Sequence, residues 1–265
     1  MRRDTAPDRV APERGRADLF RSVAVLVAAA VQTAAGVVGG AGLWGEPVGT
    51  VANSYPTLLL PAGGAFAIWT LIYATFAALA VRQALPAQRA RRTHRSTGWW
   101  LASAGVLNAG WVALFAHREI VAAQVVIVAL LVCLTVAATR LTHHPAAGWP
   151  DRLLVHTPVA VYTGWVAMAT VAGAATTGAA SDAAPSVTVA VIAVLLTGAV
   201  AATAALRLPA VVGYAAAVCW ALIWIVVGTP AAPVQVAGTF AVVMVLVASV
   251  VRAYRAGDVT RSAWG

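Results

Sequence analysis

Apolar residues run along this chain in long blocks, separated by short connections in which Arg, Pro, Gly and other polar residues gather. The blocks fall at about 20–40, 61–83, 99–116, 120–141, 153–174, 186–206, 209–229 and 233–254. Several reach the roughly 20 residues that a helix needs to cross a 30 Å hydrocarbon core. The pattern predicts an all-α, polytopic membrane bundle of eight transmembrane helices. Residues 1–19, polar and rich in Arg, Asp and Pro, read as a disordered N-terminal tail. The apolar run after them is longer than the h-region of a signal peptide, so the first span is expected to be retained.

Within blocks built mainly of Ala, Val and Leu, three carry aromatic residues at helical spacing. Trp69 and Tyr73 are four apart, so they share a helix face. The stretch LNAGWVALF holds Asn108, Trp111 and Phe115, and VYTGWVAMA holds Tyr162 and Trp165. At 1.5 Å rise per residue, Trp69, Trp111 and Trp165 lie roughly 12, 8 and 14 Å from the same end of their spans. Their common depth predicts that they converge on one cavity. Trp44, Trp99, Trp100, Trp149 and Trp224 sit nearer the ends of spans and fit an interfacial aromatic belt.

Composition agrees with the block pattern: 61% of residues are hydrophobic and 10% charged, with a mean hydropathy of +0.82, against about 25% charged in a soluble domain. The formal charge of +9 comes from 18 Arg and no Lys. Counted along alternating connections, Arg numbers 6, 5, 2, 1 and 3 on one side and 0, 1, 0 and 0 on the other. Seventeen against one is a positive-inside signature, and it predicts both termini on the cytoplasmic face of the plasma membrane. It also explains the basic balance without nucleic acid as a partner. The missing Lys excludes a retinal Schiff base.

Other chemistry is sparse. Asn108 lies in mid-span, where an amide must find a partner, either an interhelical hydrogen bond or the polar edge of a ligand. His94, His143 and His144 fall in Arg-bearing connections and His117 in the opposite one, so all four read as solvated. Only His156, near the end of the fifth span, is even partly placed for haem ligation. Among acidic residues only Glu119 borders a span, which leaves no carboxylate relay through the bilayer. Cys133 and Cys219, each inside a span, show no metal or disulfide spacing and read as small core residues. Gly36 and Gly40 form a small-xxx-small pair on the first span.

The loop and the three stripes resemble the TspO/MBR family of tryptophan-rich sensory proteins and translocator proteins. Tyr55, Leu58 and Pro61 keep the spacing of that family's loop signature, and Trp69-Thr70 with Tyr73 match the helix after it. Asn108, Trp111 and Phe115 match its third-helix pattern, and Pro158, Tyr162 and Trp165 match part of its fifth. Leu60 stands where the signature has Lys, and Ser54 where it has Trp. The resemblance covers about 20–175 and implies a five-helix core, commonly a homodimer, with an aromatic cavity closed by the first loop. It further implies a small hydrophobic ligand such as a porphyrin or haem, with no required cofactor, no metal and no catalytic residue. Tyr55, Trp69, Tyr73, Asn108, Trp111, Phe115, Tyr162 and Trp165 would line or cap the site.

Residues 176–256 then form a three-helix C-terminal extension and 257–265 a tail. Thr197, Thr203 and Gln235 are the main polar residues of the extension, which therefore reads as lipid-facing or as a packing partner. Trp220 and Trp224, four apart, are its exception. The expected function is membrane-embedded binding of a flat apolar ligand, with transport or signalling following from motion of loop 41–60. The rival readings are an eight-helix small-molecule transporter, a porphyrin-degrading enzyme using the pocket Trp residues, and a ligand-free structural subunit.

Overall fold

A computed structural model describes residues 12–265 apart from 209, 256 and 258. Most of the stretch read as a disordered tail lies outside the described residues, and the first helix already begins at Pro12. Among the described residues, eight helices are long and apolar enough to cross a membrane. In chain order the helices are α1 (Pro12–Gly40), the short α2 (Val48–Asn53), α3 (Ile68–Ala84), the short α4 (Pro86–Arg89), α5 (Arg92–Ala116) and α6 (Ile120–Leu141). There follow α7 (Trp149–Asp151), α8 (Thr157–Ala180), α9 (Val187–Ala205), α10 (Val211–Gly228), α11 (Ala232–Arg255) and the terminal α12 (Val259–Trp264). A π-turn over Arg152–His156 joins α7 to α8 as one continuous rod.

Five of the long helices close a ring: α1 packs on α3 and α5, α5 on α6, α6 on α8, and α8 on α3. The other three are not a loose appendage. α10 packs along α8, α11 along α10, and α9 along α11. Gly164 makes the α8–α10 contact possible, because a Cβ there would lie 2.7 Å from the Tyr214 carbonyl oxygen. More than half of α10 is buried, so of the two readings of the extension, lipid-facing or packing partner, α10 takes the second. Lipid and protein interior are equally apolar, so a helix of Ala, Val and Leu carries no mark of which it faces.

The Arg-rich ends of the spans are tied by two ion clusters. Asp18 on α1 accepts from Arg21 (2.6 Å) and from Nη2 of Arg95 on α5 (2.5 Å), and Arg21 also donates to the Arg89 carbonyl. Asp151 accepts from Arg82 of α3 and, through both oxygens, from Arg91 just ahead of α5. Both carboxylates are buried within the ends of helices, although neither was expected among the spans. His94 and His156, read as solvated or only partly placed, are buried as well, at 0% and 1% exposure. The polar neighbours of His94 in sequence, Arg91 and Arg95, turn to Asp151 and Asp18, while His156 is enclosed by Leu141, Val159, Leu208 and Gly265.

Candidate functional site

At the opposite end, a cap lies across the ring. Arg118, in the turn between α5 and α6, donates from Nε and Nη2 to the two carboxylate oxygens of Glu46 (2.5 and 2.9 Å). It also donates to Ser54 Oγ at 3.2 Å, and its guanidinium sits 5.7 Å from the Tyr55 ring centroid. The backbone N–H of Glu46 donates to the Ala116 carbonyl. Hydrogen bonding to Arg118 holds the Glu46 carboxyl below its ordinary value and raises the guanidinium's in turn. Residues 41–62 are thereby pinned over the end of α5.

The apolar block expected to form helix from about residue 61 does so only from Ile68. Pro61 and the Gly63-Gly64 pair give extended chain and then a 3-10 turn over Gly63–Ala67, since neither residue type favours a helix interior. Trp69 is therefore the second residue of α3, directly under the cap. Its ring stacks on Trp111 of α5 and on Tyr73, each at 5.6 Å between centroids. It meets Trp165 and Tyr162 of α8 edge-on at 5.9 and 6.2 Å. Trp111 in turn stacks on Phe115 at 5.3 Å. Three helices thus bring their aromatics to one point.

Two cavities flank the Trp69–Trp111 stack, and both are bounded by Val48, Phe66, Trp69 and Trp111. The inner one, of about 60 Å³, reaches toward α6, α8 and α10 and is lined by Phe115, Trp165, Met168 and Ile225 among others. The outer one, of about 440 Å³, opens toward α1 and α2, with Gly36, Asn53, Thr70 and Tyr73 in its walls. Gly36 leaves room for the Tyr73 ring, whereas Gly40 has no neighbour that a Cβ would meet. The expected glycine pair therefore serves an aromatic ring at one position and nothing at the other.

Of the eight residues proposed from sequence, Trp69, Trp111, Phe115 and Trp165 line the inner cavity, and Trp69, Tyr73 and Trp111 the outer one. Tyr55 belongs to the cap. Tyr162 is buried behind the cluster, its hydroxyl donating to Gln32 Oε1 at 3.1 Å. Asn108 lines neither cavity and is fully buried. The polar groups actually on the inner wall are Gln124 of α6, whose Nε2 donates to the Thr170 carbonyl, Thr176, whose hydroxyl donates to the Ala172 carbonyl, and the Trp165 indole N–H, which has no partner among the described residues. Gln124 was missed although it is a lone amide in a run of Val, Ala and Ile. It carries the same sequence signal that drew attention to Asn108. No cluster suited to a metal ion occurs among the described residues.

A family model described as TSPO-like protein matches residues 19–252. The match runs through all eight spans, where the resemblance read from the motifs reached only to about 175. No curated protein and no solved structure matches the chain.

Proposed function

Since this chain belongs to the TSPO-like family, we propose that it is a membrane-embedded binding protein for a flat, largely apolar molecule of the porphyrin class. The observation that carries the reading is the Trp69–Trp111 stack, which borders a cavity of about 440 Å³ beneath a latched loop. Ligand cavities commonly measure about 300–1,000 Å³ and are lined by apolar and aromatic groups with a few polar ones. The outer cavity fits that description, with Asn53, Thr70 and Tyr73 as its polar members. The inner cavity is too small for a ring system and serves as space into which Trp69 can yield. A planar ligand gains contact on an aromatic face at little conformational cost. Orientation follows the Arg count: the two ion clusters face the cytoplasm and the cap faces outward. Release of the Glu46–Arg118 latch would open the cavity, and transport or signalling would use that motion.

The test is quenching of intrinsic fluorescence by protoporphyrin, titrated on purified protein. The chain has ten Trp, so single replacements leave ample signal. Trp69→Ala or Trp111→Ala should weaken binding by about 1–3 kcal/mol, the range of base–aromatic stacking. Trp44→Ala, in the loop and 49% exposed, should leave affinity unchanged. Equal affinity across all of these proteins would reduce the stack to packing.

A further inference from the structure

The seventh span reaches the site at two levels. Ala221 and Ile225 of α10 form part of the inner cavity wall. Beside them on the same helix, Trp220 and Trp224 grip the segment by which the cap re-enters the bundle. The Trp220 indole Nε1 donates to the Ala65 carbonyl at 3.0 Å, and the backbone N–H of Ala62 donates to the Trp224 carbonyl at 3.0 Å. The Trp224 ring lies flush on Gly64, where a Cβ would come within 2.3 Å of it. Trp224, whose place near a span end fits the interfacial belt, also packs on this segment. Residues 62–65 lead through the 3-10 turn to Trp69 four residues on, so this grip sets where the stacking ring begins.

We propose that the last three spans are part of the binding device: α10 is a second latch, on residues 62–65, and it limits how far the cap opens alongside the Glu46–Arg118 pair. The proposal rests on the cavity beneath the cap being the ligand site. A donor pulled from its acceptor inside hydrocarbon has no water to turn to, so the two hydrogen bonds resist opening of the segment on its own. Displacement of α10 would carry the segment with it. Since α10 is held by α11, and α11 by α9, the C-terminal unit becomes the regulator of ligand access.

The experiment uses the full chain with Cys133 and Cys219 replaced by Ala and a single cysteine at Ala52. That position is buried and lines the inner cavity. Trp220→Phe deletes the indole donor and keeps a ring. Maleimide labelling of the Ala52→Cys thiol should then proceed about threefold to tenfold faster, the population change expected from one net hydrogen bond. Gly64→Ala, which drives a methyl into the Trp224 ring, should accelerate it by a second route. Labelling of native Cys133, buried on α6, in an otherwise cysteine-free chain should not change, which separates latch opening from general loosening. Unchanged labelling at position 52 in both variants, or equal acceleration at Cys133, would overturn the proposal. Protoporphyrin association should quicken in parallel. If labelling quickens while Trp69→Ala binds protoporphyrin as the unaltered chain does, the latch stands and the ligand site is misplaced.

Discussion

Asp151→Asn is the sharpest test of what holds the ring together. The carboxylate accepts from Arg82 Nη2 at 2.5 Å, from Arg91 Nη1 and Nη2 at 2.7 and 2.5 Å, and from the Ala147 N–H at 3.1 Å. It is 4% exposed. It joins α3, the start of α5 and the α8 rod at one atom group, so no neighbouring contact can replace it. The amide keeps the shape, but it retains one acceptor oxygen and turns an N–H₂ toward two guanidinium groups. Removing one partner of a buried ion pair costs about 3–5 kcal/mol, because the remaining charge stays desolvated. The Arg82 and Arg91 side chains are 15% and 28% exposed, so both recover some hydration and the lower end applies, about 3 kcal/mol. Equilibrium unfolding in mixed micelles, followed by near-ultraviolet circular dichroism, should show that loss. Glu46→Gln is the control: it deletes a carboxylate–Arg pair of similar geometry whose side chains are 44% and 39% exposed, and it should barely move the midpoint, since water screens such pairs. An Asp151→Asn protein within about 0.5 kcal/mol of the unaltered chain would refute the reasoning, as that is the range of an ordinary surface substitution.

The cap should respond to acid. Arg118 holds the Glu46 carboxyl below its ordinary value of 4.5, so the latch contributes fully above that value and is lost as pH falls through the depressed one. The labelling rate of a cysteine at Ala52, divided by that of a free thiol at the same pH to remove the thiol's own ionisation, should rise over that acid window, and Glu46→Gln should abolish the rise. Gly164→Ala places a methyl 2.7 Å from the Tyr214 carbonyl oxygen and 3.1 Å from the Ala217 Cβ. Overpacking of this kind costs about 1–3 kcal/mol, to be read as a lowered thermal midpoint, and an unchanged midpoint would mean that α8 and α10 are not in close contact. Finally, cysteines at Asn53 and Ser181 should react with an impermeant reagent added outside intact cells, while one at Thr93 should not. Labelling at Thr93 would reverse the orientation drawn from the Arg count.

What the sequence by itself determined is what the bilayer imposes on any chain. Hydrocarbon thickness sets how long an apolar block must be, and the cost of moving Arg across it sets which connections share a side. Eight spans and the grouping of Trp69, Trp111 and Trp165 were legible for that reason, since a regular rise per residue converts position in a block into depth. Tertiary structure decided which way each helix faces. In a soluble protein, water marks the outer face by excluding apolar side chains from it; in a membrane that contrast vanishes, so α10 could pack on α8 and grip the cap without any change in its Ala- and Val-rich sequence. Asn108 and Gln124 look alike as single amides in apolar runs, and only the rotation of α5 and α6 about their axes put one behind the cavity wall and the other on it. Asp151 and His94 went unrecognised as buried for a related reason. Their surroundings are made by Arg82 and Arg91, whose side chains turn inward toward the carboxylate rather than out to water, and that choice depends on three helix ends arriving at the same place.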